Sequence, residues 1–168
     1  MSNVIIFVDD ASPQSSSYSA GRICRAIEGI DSSIKPIEIN EDDLRGTLLR
    51  NSLDEVKRKI DEEVNLLEDI IIGICVDVVD DREKDQQMRV RSGIELVIAL
   101  KGDPETEMHK IISYTTRNMV ISDSDKEWLK EKNVEIIRKD DITSKEREDG
   151  KTVFDVMAKK ILKALEWI

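Results

Sequence analysis

Val4-Ile5-Ile6-Phe7-Val8-Asp9-Asp10 decides how the chain is read. Five apolar residues, mostly β-branched, end abruptly in two adjacent carboxylates. The run is too short for a typical helix and predicts a strand covered on both faces, as in a parallel sheet. Acids at the carboxyl end of such a strand stand where open α/β sheets bind their ligands. A second run, Asp69-Ile-Ile-Ile-Gly-Ile-Cys-Val-Asp77, is the most apolar of the chain and also ends in a carboxylate. It predicts the central strand.

Outward from these two runs, strands and helices alternate. Ile34–Ile39 alternates apolar residues with Lys, Pro and Glu, and Pro36 suits an edge strand. Lys110–Thr116 predicts a fourth strand ending in two hydroxyls, and Val134–Lys139 a fifth ending in a cation. Between them lie helical stripes. Ala20, Ile23, Cys24, Ile27 and Ile30 form the first, with Pro13 suited to its start and Gly29 to its close. Val56, Ile60, Val64 and Leu67 form the second, capped by Asn51 or Ser52. Ile94, Val97, Ile98 and Leu100 follow, stopped by Gly102 and Pro104. Ser124 and Glu127 are spaced as a capping box for a helix carrying Trp128 and Leu129. Phe154, Met157, Ile161, Leu165 and Ile168 mark the closing helix. Five alternations predict a doubly wound α/β sheet, and right-handed crossovers bring all five strand ends to one edge.

Composition narrows the function. The 168 residues favour one domain over 1–168. With 26 Lys and Arg against 36 Asp and Glu, the net charge is -10, which argues against non-specific nucleic-acid binding. No block of Lys or Arg along the chain suggests a basic patch. No apolar run has the length of a membrane span and no signal pattern opens the chain, so a cytoplasmic location is expected. Cys24 and Cys75 are too few for a disulfide framework and read as buried thiols. The single histidine, His109, rules out a His-rich metal site and reads as a surface residue.

The strand tips collect Asp9, Asp10, Asp77, Thr115 or Thr116, and Lys139. Three carboxylates in one small site repel one another unless a cation sits among them. An oxygen-only, incomplete protein shell suits Mg²⁺, which keeps waters and accepts substrate oxygens. A hydroxyl and an ammonium opposite it suit the remaining oxygens of a phosphoryl group. An ionised carboxylate is itself a competent phosphoryl acceptor. The predicted chemistry is in-line phosphoryl transfer to an Asp. The acids from Asp80 to Asp85 read as a solvated loop, although Asp80 and Asp81 are also candidate acceptors.

These residues resemble the receiver domain of two-component response regulators. The Asp9-Asp10 pair resembles the family's acidic metal pocket, and Asp77 takes the phosphoacceptor position. Ser92-Gly93-Ile94-Glu95-Leu96 resembles the start of the third helix. Thr115 takes the hydroxyl position and Lys139 the lysine position. The chain departs from the family in three ways. Asp140 follows Lys139 where Pro is usual, Ile136 stands at the usual aromatic switch position, and long insertions occur around 40–68 and 78–92. The resemblance implies a CheY-like, flavodoxin-like sheet of order 2-1-3-4-5 with helices on both faces. It also implies a phosphoacceptor signalling domain rather than a multiple-turnover enzyme. Its metal would be Mg²⁺ on Asp9, Asp10 and Asp77, with Asp77, Thr115 and Lys139 carrying the chemistry. Its partners would be a histidine kinase or phosphotransfer protein and a downstream protein target, with homodimer formation open. A pseudo-receiver, the same fold kept as an interaction module, is the alternative. A metal-dependent phosphohydrolase is disfavoured because Asp9-Asp10-Ala11 lacks an Asp-x-Asp spacing and no glycine-rich phosphate loop is present.

Overall fold

The computed structural model describes residues 1–168. Five parallel strands, β1 (Ser2–Val8), β2 (Ile34–Ile39), β3 (Asp69–Asp77), β4 (Ile111–Thr115) and β5 (Glu135–Arg138), form one sheet in the order β2-β1-β3-β4-β5. Alternation along β1 explains the two layers. Val4, Ile6 and Val8 point into one core, and Ile5 and Phe7 into the other, because successive side chains of a strand face opposite sides. The first core is covered by α3 (Leu53–Glu63), α5 (Ser92–Gly102) and α6 (Asp123–Glu131). The second is covered by α1 (Ala20–Ile30) and α7 (Val153–Ala164). The doubly wound sheet of order 2-1-3-4-5 is therefore observed, with seven α-helices once the short α2 (Glu41–Leu44) and α4 (Gln86–Arg89) are included.

Strand β3 approaches α7 unusually closely at Gly73. A Cβ there would lie 2.5 Å from Leu165 Cδ2, so a larger residue would push the Leu165 side chain aside. The β1–β3 register shifts at the same place, where Val4 pairs with Ile71 and Ile5 with Gly73. The C-terminal turn is tied to the end of α1 by Trp167 Nε1 donating to Asp31 Oδ2 at 2.8 Å. No helix is long and apolar enough to cross a membrane.

Several local expectations are corrected. Helix α1 begins at Ala20, well past Pro13, which lies in the polar loop, and Gly29 lies within the helix. The second stripe stops at Glu63, where Val64 turns extended, so Leu67 lies outside the helix and is exposed. Ser52 rather than Asn51 stands at the cap of that helix, but its hydroxyl donates backward to Leu49 O. Helix α6 is capped by Ser122, which accepts from Asp125 N, and not by a Ser124–Glu127 box. Ile168 lies past the end of α7 and is exposed. His109 is half-buried ahead of β4, at the end of the sheet opposite the strand tips.

Candidate functional site

Asp9 and Asp10 follow the last residue of β1, and Asp77 is the last residue of β3, its sheet neighbour. Parallel pairing brings their tips together: one carboxylate oxygen from each lies within 4.8 Å of the others. All three residues are buried, at 0%, 4% and 7% exposure. Their hydrogen bonds divide the labour unequally. Asp9 Oδ2 accepts from Ser19 N at 3.2 Å, Ser19 Oγ at 3.3 Å and Ala20 N at 3.1 Å, and its Oδ1 accepts from Ala11 N at 3.0 Å. It satisfies free N–H groups at the start of α1, as a capping carboxylate does. Asp10 accepts only from Asp81 N, on Oδ2 at 2.9 Å, and Asp77 only from Val79 N, on Oδ1 at 3.1 Å. Asp10 Oδ1 and Asp77 Oδ2 are therefore the free acceptors of the cluster.

The electrostatics follow from this crowding. Burial pushes the Asp10 carboxyl up to about 7, with the neighbouring Asp9 charge adding to the shift. Burial, then the charges of Asp9 and Asp10, hold Asp77 well above the carboxylate range. Asp9 is also raised by burial, against the opposing effect of its backbone hydrogen bonds. Within hydrogen-bonding or ion-pairing distance the three acids have no cationic side chain. Free, buried, hard oxygen donors around a shared point are the donor set a divalent cation requires.

The loop after β3 is where the structure departs most from expectation. Asp80 and Glu83 are buried, not solvated. Asp80 Oδ1 accepts from Arg82 N and Nε, both at 3.0 Å, while its Oδ2 accepts from Leu49 N at 2.8 Å and Arg82 Nη2 at 3.1 Å. Glu83 Oε2 stands 2.9 Å from Arg50 Nε, a charge contact without aligned hydrogen-bond geometry. Arg50 N donates to Ser92 Oγ at 3.0 Å. Leu49 and Arg50 belong to a 3₁₀ turn, Leu49–Asn51, between β2 and α3. The 49–51 turn and the loop after β3 thus pin each other beside the acid edge. The next residue, Asp81, supplies the N–H that holds Asp10. Charge order along the chain looks solvated, and only the distant Leu49 and Arg50 reveal otherwise.

Gly93 seats the first turn of α5 against the tip of β3. Its N–H donates to Val78 O at 2.9 Å, and a Cβ there would lie 1.8 Å from Asp77 O. Gly93 of the sequence motif therefore has a steric role at Asp77 itself.

Thr115 ends β4 and is buried, one residue beyond Tyr114, the strand partner of Asp77. Its Oγ1 accepts from Arg117 N at 3.0 Å, and Arg117 forms an ion pair with Asp81. Tyr114 is fully buried, edge-on to Phe7 with ring centroids 6.0 Å apart. Lys139 lies past β5 in a 3₁₀ turn, Lys139–Asp141, and is exposed. It makes no ion pair with Asp9, Asp10 or Asp77. Instead it lines a groove of about 360 Å³ with Ser19, Arg22, Thr116 and Arg117. Ser19 is shared with the acid edge, because its hydroxyl and N–H both reach Asp9.

Strand order and parallel pairing define a flavodoxin- or CheY-like α/β fold, with an acid cluster at the β1 and β3 tips. No protein-family model and no curated protein matches the chain. The crystal structure of the Mn²⁺-bound form of response regulator Rcp1 is similar over 98% of this chain and 96% of that one, with a TM-score of 0.50. At 13% sequence identity the likeness is one of fold.

Proposed function

We propose that this chain is a receiver-like signalling domain that accepts a phosphoryl group on Asp77. The observation that carries the reading is the buried, mutually unshielded set Asp9, Asp10 and Asp77 with free oxygens on Asp10 and Asp77. Mg²⁺ would be held by these three residues. When bound, it would neutralise their charge and that of the incoming phosphoryl oxygens. Asp80 is a poor competitor as acceptor, because both of its oxygens are engaged by Arg82 and Leu49. Asp77 would attack phosphorus, forming an acyl phosphate as the donor's P–N bond breaks and its electron pair returns to the imidazole. The donor would be the phosphohistidine of a histidine kinase or phosphotransfer protein. The Thr115 hydroxyl donates only at long range, to Arg117 O at 3.5 Å, and would turn its proton to a phosphoryl oxygen. Lys139, exposed and unpaired, would supply the ammonium. Phosphorylation would change contacts to a downstream protein in the cytoplasm near β4 and β5.

The pseudo-receiver reading has its own support in Lys139, which forms no ion pair with the acids. Intact mass after acetyl phosphate with Mg²⁺, on wild type and Asp77→Asn, separates the two. One added phosphoryl group on wild type alone supports the first reading. No addition to wild type, together with no fluorescence change on adding beryllofluoride and Mg²⁺, contradicts it and leaves the interaction module.

A further inference from the structure

The strongest feature outside the acid edge is a groove of about 800 Å³ between α1, α7 and the loop before α7. It is lined by six cations, Arg25, Lys145, Lys151, Lys159, Lys160 and Lys163, and by only two acids, Glu146 and Asp155. Both acids are engaged internally. Glu146 Oε2 pairs with Lys160 Nζ at 3.1 Å, and Asp155 closes the capping box of α7 with Thr152. The other five cations have no ion-pair partner and are exposed. In a chain of net charge -10 this is a local reversal of sign. No contiguous block of Lys or Arg signals it in the sequence. Lys159 and Lys163 stand one turn apart on α7, Lys145 and Lys151 come from the loop before it, and fold closure adds Arg25 from α1.

The floor between the cations is apolar. Ala26, Ile30, Val156 and Ile168 line it, and Ile30 and Ile168 are 44% and 55% exposed. Gly29 opens the floor further, because nothing lies within 4 Å of where its Cβ would be. Cations around an apolar strip match a peptide with carboxylates around apolar anchors. A nucleic acid fits less well, because its affinity needs many phosphate contacts and the rest of the chain repels it. Exposed lysine stems are flexible point charges without the rigid fork that fixes a small phosphate.

We propose that the α1–α7 groove docks an acidic, amphipathic peptide segment of a partner protein. The overall negative charge steers such a segment away from the remaining surface and toward this one face.

The test uses the full chain, isotope-labelled, with a labelled peptide alternating Glu and Leu. The same peptide with Gln for Glu, a single-stranded oligonucleotide and phosphatidylserine vesicles serve as competing probes. Amide shifts confined to α1, α7 and the 143–151 loop are expected, with affinity falling as salt rises. Lys159→Glu with Lys163→Glu should weaken binding about tenfold or more, ~1.4 kcal/mol per tenfold. Lys126→Glu with Lys130→Glu on α6 makes the same change in net charge and should leave affinity within about twofold, ~0.4 kcal/mol. Thermal unfolding of both variants checks that each is folded. The proposal is overturned by equal binding of the Gln peptide, by equal loss in the α6 variant, by absence of shifts in α1 and α7, or by tighter binding of the oligonucleotide or vesicles.

Discussion

Two groups of buried acids lie at the carboxyl edge of the sheet around the tip of β3, and they are built in opposite ways. Asp80 has every partner it needs: a guanidinium across both oxygens and the Leu49 N–H. Asp10 and Asp77 have one backbone N–H each and otherwise face like charge. Burying a paired carboxylate fastens two loops together. Burying carboxylates whose free oxygens converge raises their energy, and a fold tolerates that where a cation or reacting group is to be bound. The difference separates a paired acid from unpaired ones within a few residues of chain.

The contrast predicts opposite signs on mutation. Asp80→Asn removes the charge that Arg82 faces and should cost toward the lower end of the ~3–5 kcal/mol seen for broken buried pairs, since Arg82 is partly exposed. Urea unfolding measures it; a loss below ~1 kcal/mol would erase the distinction. Gly93→Ala should be comparably damaging, at or above the ~1–3 kcal/mol of ordinary overpacking, because the new methyl meets the Asp77 carbonyl. Asp10→Asn should go the other way, stabilising the metal-free protein by roughly 1–3 kcal/mol at pH 8 through relief of repulsion. Destabilisation in the metal-free state would show that the acids are not in conflict.

The same conflict sets a pH dependence. The unfolded Asp10 carboxyl titrates near its ordinary value of about 4, whereas the folded one is pushed up to about 7. Between these values the folded chain holds the extra proton, so stability should fall as pH rises. Asp9 and Asp77 are shifted in the same direction. Thermal unfolding of the metal-free protein should give a higher midpoint at pH 5 than at pH 8, and Mg²⁺ should reduce the gap. A midpoint that rises with pH would reverse the account. The smallest effect should come from Arg117→Ala, whose partner Asp81 is partly exposed: under ~1 kcal/mol in stability.

How much of this was legible in the sequence depends on where the partners lie. β1 and β3 could be read because an apolar run, its alternation and its terminal acid are contiguous. The convergence of Asp9, Asp10 and Asp77 followed from parallel pairing. The burial of Asp80 and Glu83 was hidden, because their partners Leu49 and Arg50 lie some thirty residues earlier in the chain and charge runs look solvated. Ser19, which fixes Asp9, sits in a serine-rich loop with nothing to single it out. The basic groove was invisible for a related reason: Arg25 and the α7 lysines meet only when α1 packs on α7. Leu67 and Ile168 matched a helical stripe that the backbone does not continue.

As a divalent-cation site, Asp9, Asp10 and Asp77 should take up a single ion. Calorimetric titration of Mg²⁺ and Mn²⁺ into wild type and Asp10→Asn tests it most directly. One ion should bind to wild type, with affinity falling as pH drops below about 7, and binding should be lost in Asp10→Asn. No saturable binding to wild type, or unchanged binding in the variant, would contradict it.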